Sequence, residues 1–126
     1  MTICPFCIKD LDREILAETS SVYSIYDKYP VSQGHALIIP NRHCSDYFSL
    51  SFDEQSECWS MVNKVKEIIS GKFRPDGFNI GLNVNEAAGQ TIWHVHIHLI
   101  PRYKGDVKNP EGGVRGVIPE KRLYLK

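Results

Sequence analysis

The stretch His94-Val95-His96-Ile97-His98-Leu99 decides how the rest of the chain is read. Side chains alternate across an extended strand, so Val95, Ile97 and Leu99 share one face and the three histidines share the other. An apolar face this regular marks a strand laid on a core, with a row of imidazoles on its far side. At about 3.3 Å per residue, His94 and His98 lie roughly 13 Å apart, too far to bind one atom together. The histidines therefore serve adjacent but different tasks. Three same-face imidazoles on an otherwise apolar strand are costly to bury without partners, which makes the row functional. An imidazole can act as metal ligand, acid, base or nucleophile, and the row alone does not choose among them.

Working outward, other segments also read as strands: Ser21 to Tyr26, His35 to Ile39 ending at Pro40, Phe78 to Val84 after Gly77, and Trp93 to Ile100 ending at Pro101. One helix is predicted from about Asp53 to Ile69, with Trp59, Val62, Val65, Ile68 and Ile69 on its apolar face. Ser51 and Glu54 have the spacing of a capping box, and Gly71 follows the last apolar pair as a stop signal. The pieces imply an α+β fold, an antiparallel β-sheet covered by one long helix. Beyond Arg102 the chain turns loop-rich, with three glycines between Gly112 and Gly116 flanked by Pro110 and Pro119.

The chain has 126 residues and a mass of 14.4 kDa, enough for one core. Fifteen Lys plus Arg balance fifteen Asp plus Glu, and a net charge of zero excludes a surface built to gather nucleic acid phosphates. The first residues lack a basic stretch followed by a long apolar one, and no apolar run is long enough to cross a bilayer. A cytoplasmic protein with no membrane partner is expected. Four cysteines, Cys4, Cys7, Cys44 and Cys58, are too few for a secreted disulfide scaffold and read as thiols or metal ligands.

The triad stretch resembles the signature of the histidine triad family, His-φ-His-φ-His-φ-φ with φ apolar, and Pro101-Arg102 with Gly105-Asp106 is similar to the fragile histidine triad branch. Pro30 to Pro40 with His43 resembles the family's second segment, and Gly89-Gln90-Thr91 its loop before the triad. The resemblance implies a homodimeric nucleotidyl hydrolase or transferase acting at the α-phosphate of a nucleotide, without a metal in the chemical step. It implies that residues 1–106 form the histidine triad domain with an N-terminal zinc-binding segment, and that 107–126 are a loop-rich tail of the same domain. It implies His96 as the nucleophile and the main-chain carbonyl of His94 as the acceptor that fixes its tautomer. His35 and His98 match the histidines that contact phosphate or leaving-group oxygens, and His98 is placed to assist proton delivery. Gln90 and Thr91 match phosphate-bonding residues, Asn83 a polar site contact, and Asp27 the residue that holds the ribose hydroxyls.

Cys4-Pro5-Phe6-Cys7 supplies two sulfurs, and His43 with His94 are the two histidines left after His35, His96 and His98 are assigned. Two sulfurs and two nitrogens suit a tetrahedral structural zinc, of the kind carried by relatives such as the galactose-1-phosphate uridylyltransferases. A redox dithiol is the weaker reading, since no βαβ pattern accompanies the pair. Cys44 and Cys58 are expected to be packed thiols. The segment Pro101 to Asp106 resembles the dinucleoside polyphosphate hydrolase branch, which implies substrates such as diadenosine tetraphosphate, with Lys104 or Arg115 touching distal phosphates. The alternatives are a nucleoside phosphoramidate hydrolase, or a nucleotide-binding regulatory module with little turnover.

Overall fold

A computed structural model describes residues 4–7 and 13–124. Its frame is a five-stranded antiparallel sheet built from β1 (Ile15–Glu18), β2 (Val22–Tyr26), β3 (Ala36–Pro40), β4 (Gly77–Gly81) and β5 (Ile97–Arg102), in the order β1-β2-β3-β5-β4. One helix, α1 (Phe52–Phe73), crosses from β3 to β4 and covers one face. This is the α+β architecture expected from the sequence. β1 is an addition, since Ile-Leu-Ala-Glu is too short to carry an alternating signal of its own.

The sheet separates two environments. Toward α1, Val22, Ala36, Ile38, Ile97 and Leu99 pack on Cys58, Met61, Val62, Val65 and Ile69. On the opposite face Tyr23, Ile25, Leu37 and Ile39 form a second apolar cluster with Phe6. β5 alternates as its sequence requires: Ile97 and Leu99 are buried, whereas His98 stands on the second face opposite Leu37 of β3 and Gly81 of β4.

Three expectations are corrected in detail. β5 begins at Ile97, so His94 and His96 lie in the irregular approach to the strand and their rings are free to diverge. The core face of α1 is turned from the predicted one: Cys58 and Met61 are buried while Trp59 and Ile68 are 38 % and 36 % exposed. Finally, Gly71 does not stop the helix. Phe73 holds one further turn by packing edge-on against Tyr26, and the helix ends at Arg74, whose left-handed φ of 54° and N–H bond to Ser70 form the cap ahead of Pro75. At the other end the capping box is formed: Ser51 Oγ accepts from Glu54 N–H at 3.1 Å and Glu54 accepts from Ser51 N–H at 2.9 Å.

Candidate active site and adjoining metal cluster

A cavity of about 580 Å³ opens on the helix-free face of the sheet, and His35, His96 and His98 line it together with Asp27, Asn83, Gln90 and Thr91. The three histidines and the four polar residues Asp27, Asn83, Gln90 and Thr91 are therefore brought to one place.

Hydrogen-bond directions fix the protons. His96 Nδ1 stands 2.8 Å from the His94 carbonyl, which can only accept, so Nδ1 carries the hydrogen and the lone pair is on Nε2. Val31 N–H donates to His35 Nδ1 at 3.1 Å, so neutral His35 carries its hydrogen on Nε2. That hydrogen is donated to His98 Nδ1 at 3.0 Å, which leaves His98 with its N–H at Nε2. A backbone amide thus sets two tautomers in series. Burial holds both rings below the ordinary histidine range, with His98 pushed down to about 4, burial acting first and the neighbouring His96 and His35 next. Both are uncharged at neutral pH.

Asp27 closes this group. Its Oδ1 accepts from Tyr29 N–H at 2.8 Å, and its Oδ2 lies 3.4 Å from His35 Nε2 and 3.9 Å from His98 Nδ1. Asp27, His35 and His98 bring three donor atoms within 4.8 Å, which resembles a metal triad. The tautomers argue otherwise: His35 Nε2 bears a hydrogen, because its other nitrogen already accepts from Val31, and a protonated nitrogen is no ligand.

Gln90 is buried and its amide is consumed internally. Nε2 donates to Ser45 O at 2.7 Å and Ile92 O at 3.1 Å, while Oε1 accepts from Asn85 N–H at 2.9 Å. With both hydrogens committed, this side chain braces the loop that carries Thr91 and has no N–H to give a phosphate, which corrects the role expected for it. Thr91 and Asn83 line the cavity from exposed positions. Lys104 and Arg115 lie elsewhere. Lys104 belongs to a separate surface cavity beside β4, and the Arg115 guanidinium bonds the carbonyls of Lys121 and Arg122, so neither lines the histidine cavity. The sequence reading passed over Phe6, Arg13 and Lys28, all of which line it. For Phe6 the signal was its place between two cysteines; Arg13 and Lys28 carried none.

The His94 ring turns away from the cavity. It is fully buried, and its Nε2–H donates to the Pro40 carbonyl at 2.7 Å, leaving Nδ1 bare. That bare nitrogen lies 3.3 Å from Cys4 Sγ and 3.5 Å from Cys7 Sγ, and His43 Nδ1 lies 3.1 Å from Cys7 Sγ. All four donor atoms fall within 4.8 Å of one another. A tetrahedral ion with metal–sulfur bonds of about 2.3 Å and metal–nitrogen bonds of about 2.0 Å has S···N edges of about 3.5 Å, so the spacing and the donor set both fit. A histidine ligand oriented through its far nitrogen by a carbonyl is the usual supporting arrangement. Cys44 and Cys58 are buried free thiols outside this cluster.

Comparison with known proteins agrees with the geometry. Residues 9–105 match the model of the HIT domain. The chain is 33 % identical over 100 residues to an AP-4-A phosphorylase of Mycobacterium tuberculosis, covering 79 % of this chain and 51 % of that protein. It is 32 % identical over 96 residues to a bis(5'-adenosyl)-triphosphatase of Dictyostelium discoideum, covering 76 % and 64 %. The chain thus spans about half to two thirds of the length of these relatives. Among solved structures, a zinc-bound histidine triad family protein of Mycobacterium smegmatis superimposes with a TM-score of 0.70 at 28 % identity, over 75 % of this chain and 69 % of that one. A triad whose middle ring is oriented by the carbonyl of the first, on a sheet covered by a single helix, together with a domain match across most of its length, makes this chain a member of the HIT domain family.

Proposed function

We propose that the protein is a nucleotidyl hydrolase that cleaves dinucleoside polyphosphates at the α-phosphate through a nucleotidyl-histidine at His96. The observation that carries this reading is the bond from His96 Nδ1–H to the His94 carbonyl, which leaves Nε2 with a free lone pair in a cavity it shares with the N–H of His98. The relatives named for diadenosine polyphosphates support the substrate class.

In the first step the His96 Nε2 lone pair forms a bond to the α-phosphorus, and the bond from phosphorus to the bridging oxygen breaks with its electron pair going to the leaving polyphosphate. The ring becomes cationic, and the His94 carbonyl on Nδ1–H is placed to stabilise it. In the second step water adds to phosphorus and the P–N bond breaks with its pair returning to Nε2. The water's surplus proton stays on the monophosphate product or passes to solvent.

His98 serves this reaction as a hydrogen-bond donor. A ring held neutral, with His35 donating to its Nδ1, offers Nε2–H to developing negative charge without surrendering a proton. A nucleoside polyphosphate leaves as an anion whose terminal phosphate has a pKa of about 6, so none is required. An amine leaving from a phosphoramidate does require one, and this favours the polyphosphate reading. Asp27 retains lone pairs for a ribose hydroxyl, while Thr91 and Asn83 line the cavity where phosphates and sugar would lie.

Cys4, Cys7, His43 and His94 would hold a structural zinc; with four protein ligands it leaves no position for substrate and supplies rigidity alone. The reading extends to a homodimer in the reducing cytoplasm, consistent with four free thiols among the described residues, and to residues 107–126 as a tail of the same domain. Among the described residues no helix is long and apolar enough to cross a membrane.

The test is chromatography of products from diadenosine tetraphosphate and, in parallel, adenosine phosphoramidate, using wild type and His96→Ala. AMP and ATP from the tetraphosphate, absent with the variant, are expected. AMP from the phosphoramidate alone would overturn the substrate class, and binding without turnover of either would leave a regulatory module.

A further inference from the structure

The two constellations share more than a boundary. Phe6 sits between the two cysteines, is only 5 % exposed, and its carbonyl accepts from Tyr23 O–H at 2.6 Å. Its ring packs edge-on against the His94 ring, with centroids 6.0 Å apart at 88°, and against the His96 ring at 5.1 Å and 62°. His96 also meets His98, at 5.1 Å and 68°. The nucleophilic imidazole thus packs on both Phe6 and His98 while its Nδ1–H is bonded to His94.

A single hydrogen bond leaves a ring free to tilt about its bond axis, and in-line attack on phosphorus tolerates little tilt. The neighbouring His98 is already fixed by the His35 bond. The other ring contact of His96 is Phe6, which is held by the turn in which Cys7 N–H donates to the Cys4 carbonyl and by the second apolar cluster.

We propose that Phe6 is a positioning residue for His96, a wedge through which the Cys4-Cys7-His43-His94 cluster sets the aim of the nucleophile. The claim rests on the function proposed above for His96. It gives the Cys-x-x-Cys turn a task beyond securing the N-terminus: order in the cysteine turn reaches the reacting nitrogen by two routes, the carbonyl of His94 and the ring of Phe6.

Phe6→Leu keeps an apolar side chain and loses the ring edge; Phe6→Ala removes the contact; Phe6→Tyr keeps the ring. Each is compared with wild type for zinc per chain, for kcat and KM on diadenosine tetraphosphate, and for the orientation of the His96 ring by proton–proton contacts from the ring in NMR spectra. In Phe6→Leu, zinc content is expected to be unchanged, KM to stay within about twofold and kcat to fall by up to about 100-fold. The His96 ring should change from one orientation to an average of several, and Phe6→Tyr should restore both readouts. A raised KM with kcat and ring orientation unchanged would overturn the proposal, making Phe6 a wall of the cavity alone. A fall in kcat that appears only with loss of zinc would also overturn it, reducing Phe6 to part of the metal loop. If Phe6→Ala fails to fold, Phe6→Leu decides. If wild type turns over no nucleotide, the proposed function fails, and the ring-orientation readout still judges the wedge by itself.

Discussion

His98 shows what a single buried cavity residue costs the fold. Burial against His96 and His35 pushes it down to about 4, whereas an unfolded chain would protonate it near 6.5. Between those values the unfolded state binds more protons, so the fold loses stability as pH falls through the window. The full difference is about 3 kcal/mol, of which about 2 kcal/mol should already be lost at pH 5. Urea midpoints at pH 7 and pH 5 check this, and in His98→Gln the part of the slope due to this ring should vanish whatever the metal cluster contributes. Residue types were well signalled in the sequence, because a histidine row on an apolar strand has few uses. Residue partners were not. Nothing in the spacing shows that Gln90 spends an amide hydrogen on Ser45, or that Asp27 faces His98, since these contacts join segments far apart in the chain.

At the scale of elements, the turn before β3 and the end of α1 meet at Gly34. Its φ is +88°, and a Cβ there would stand 2.8 Å from Phe73 Cδ2. Gly34→Ala must adopt a left-handed backbone at a cost of about 1–2 kcal/mol and displace Phe73 as well. The expected outcome is a melting temperature lowered by roughly 5 °C or more, with reduced turnover because His35 is the next residue. At the opposite end of the helix Ser51→Ala should cost about 1 kcal/mol while turnover is unchanged, since the capping box is remote from the cavity. Glu54 also receives both ends of the Arg42 guanidinium at 2.9 Å, which brings its carboxyl down to about 2. Helix start and strand centres were legible because caps and alternation are local. The helix end was not: Gly71 is a local stop signal, but Phe73 finds Tyr26 across the fold, and tertiary packing outweighs the roughly 1 kcal/mol that a helical glycine costs.

At the scale of the molecule, the sheet divides an apolar face packed under α1 from a face that carries the histidine cavity. Among the described residues, the N-terminal turn meets the second face through the cysteine and histidine cluster and Phe6. Cys4→Ser should therefore release zinc, lower the melting temperature and leave α1 and its core intact by circular dichroism, with elemental analysis reporting the metal. A wild-type protein free of zinc after metal-replete expression would overturn the cluster's assignment. His94 gives this arrangement a consequence for descent. Its service to His96 is rendered by a carbonyl, which every amino acid possesses, while its ring serves the cysteines through Nδ1 and the Pro40 carbonyl through Nε2–H. A lineage that lost Cys4 and Cys7 would thereby free one ring nitrogen of position 94 from duty, while the other would still tie the first letter of the triad to the end of β3.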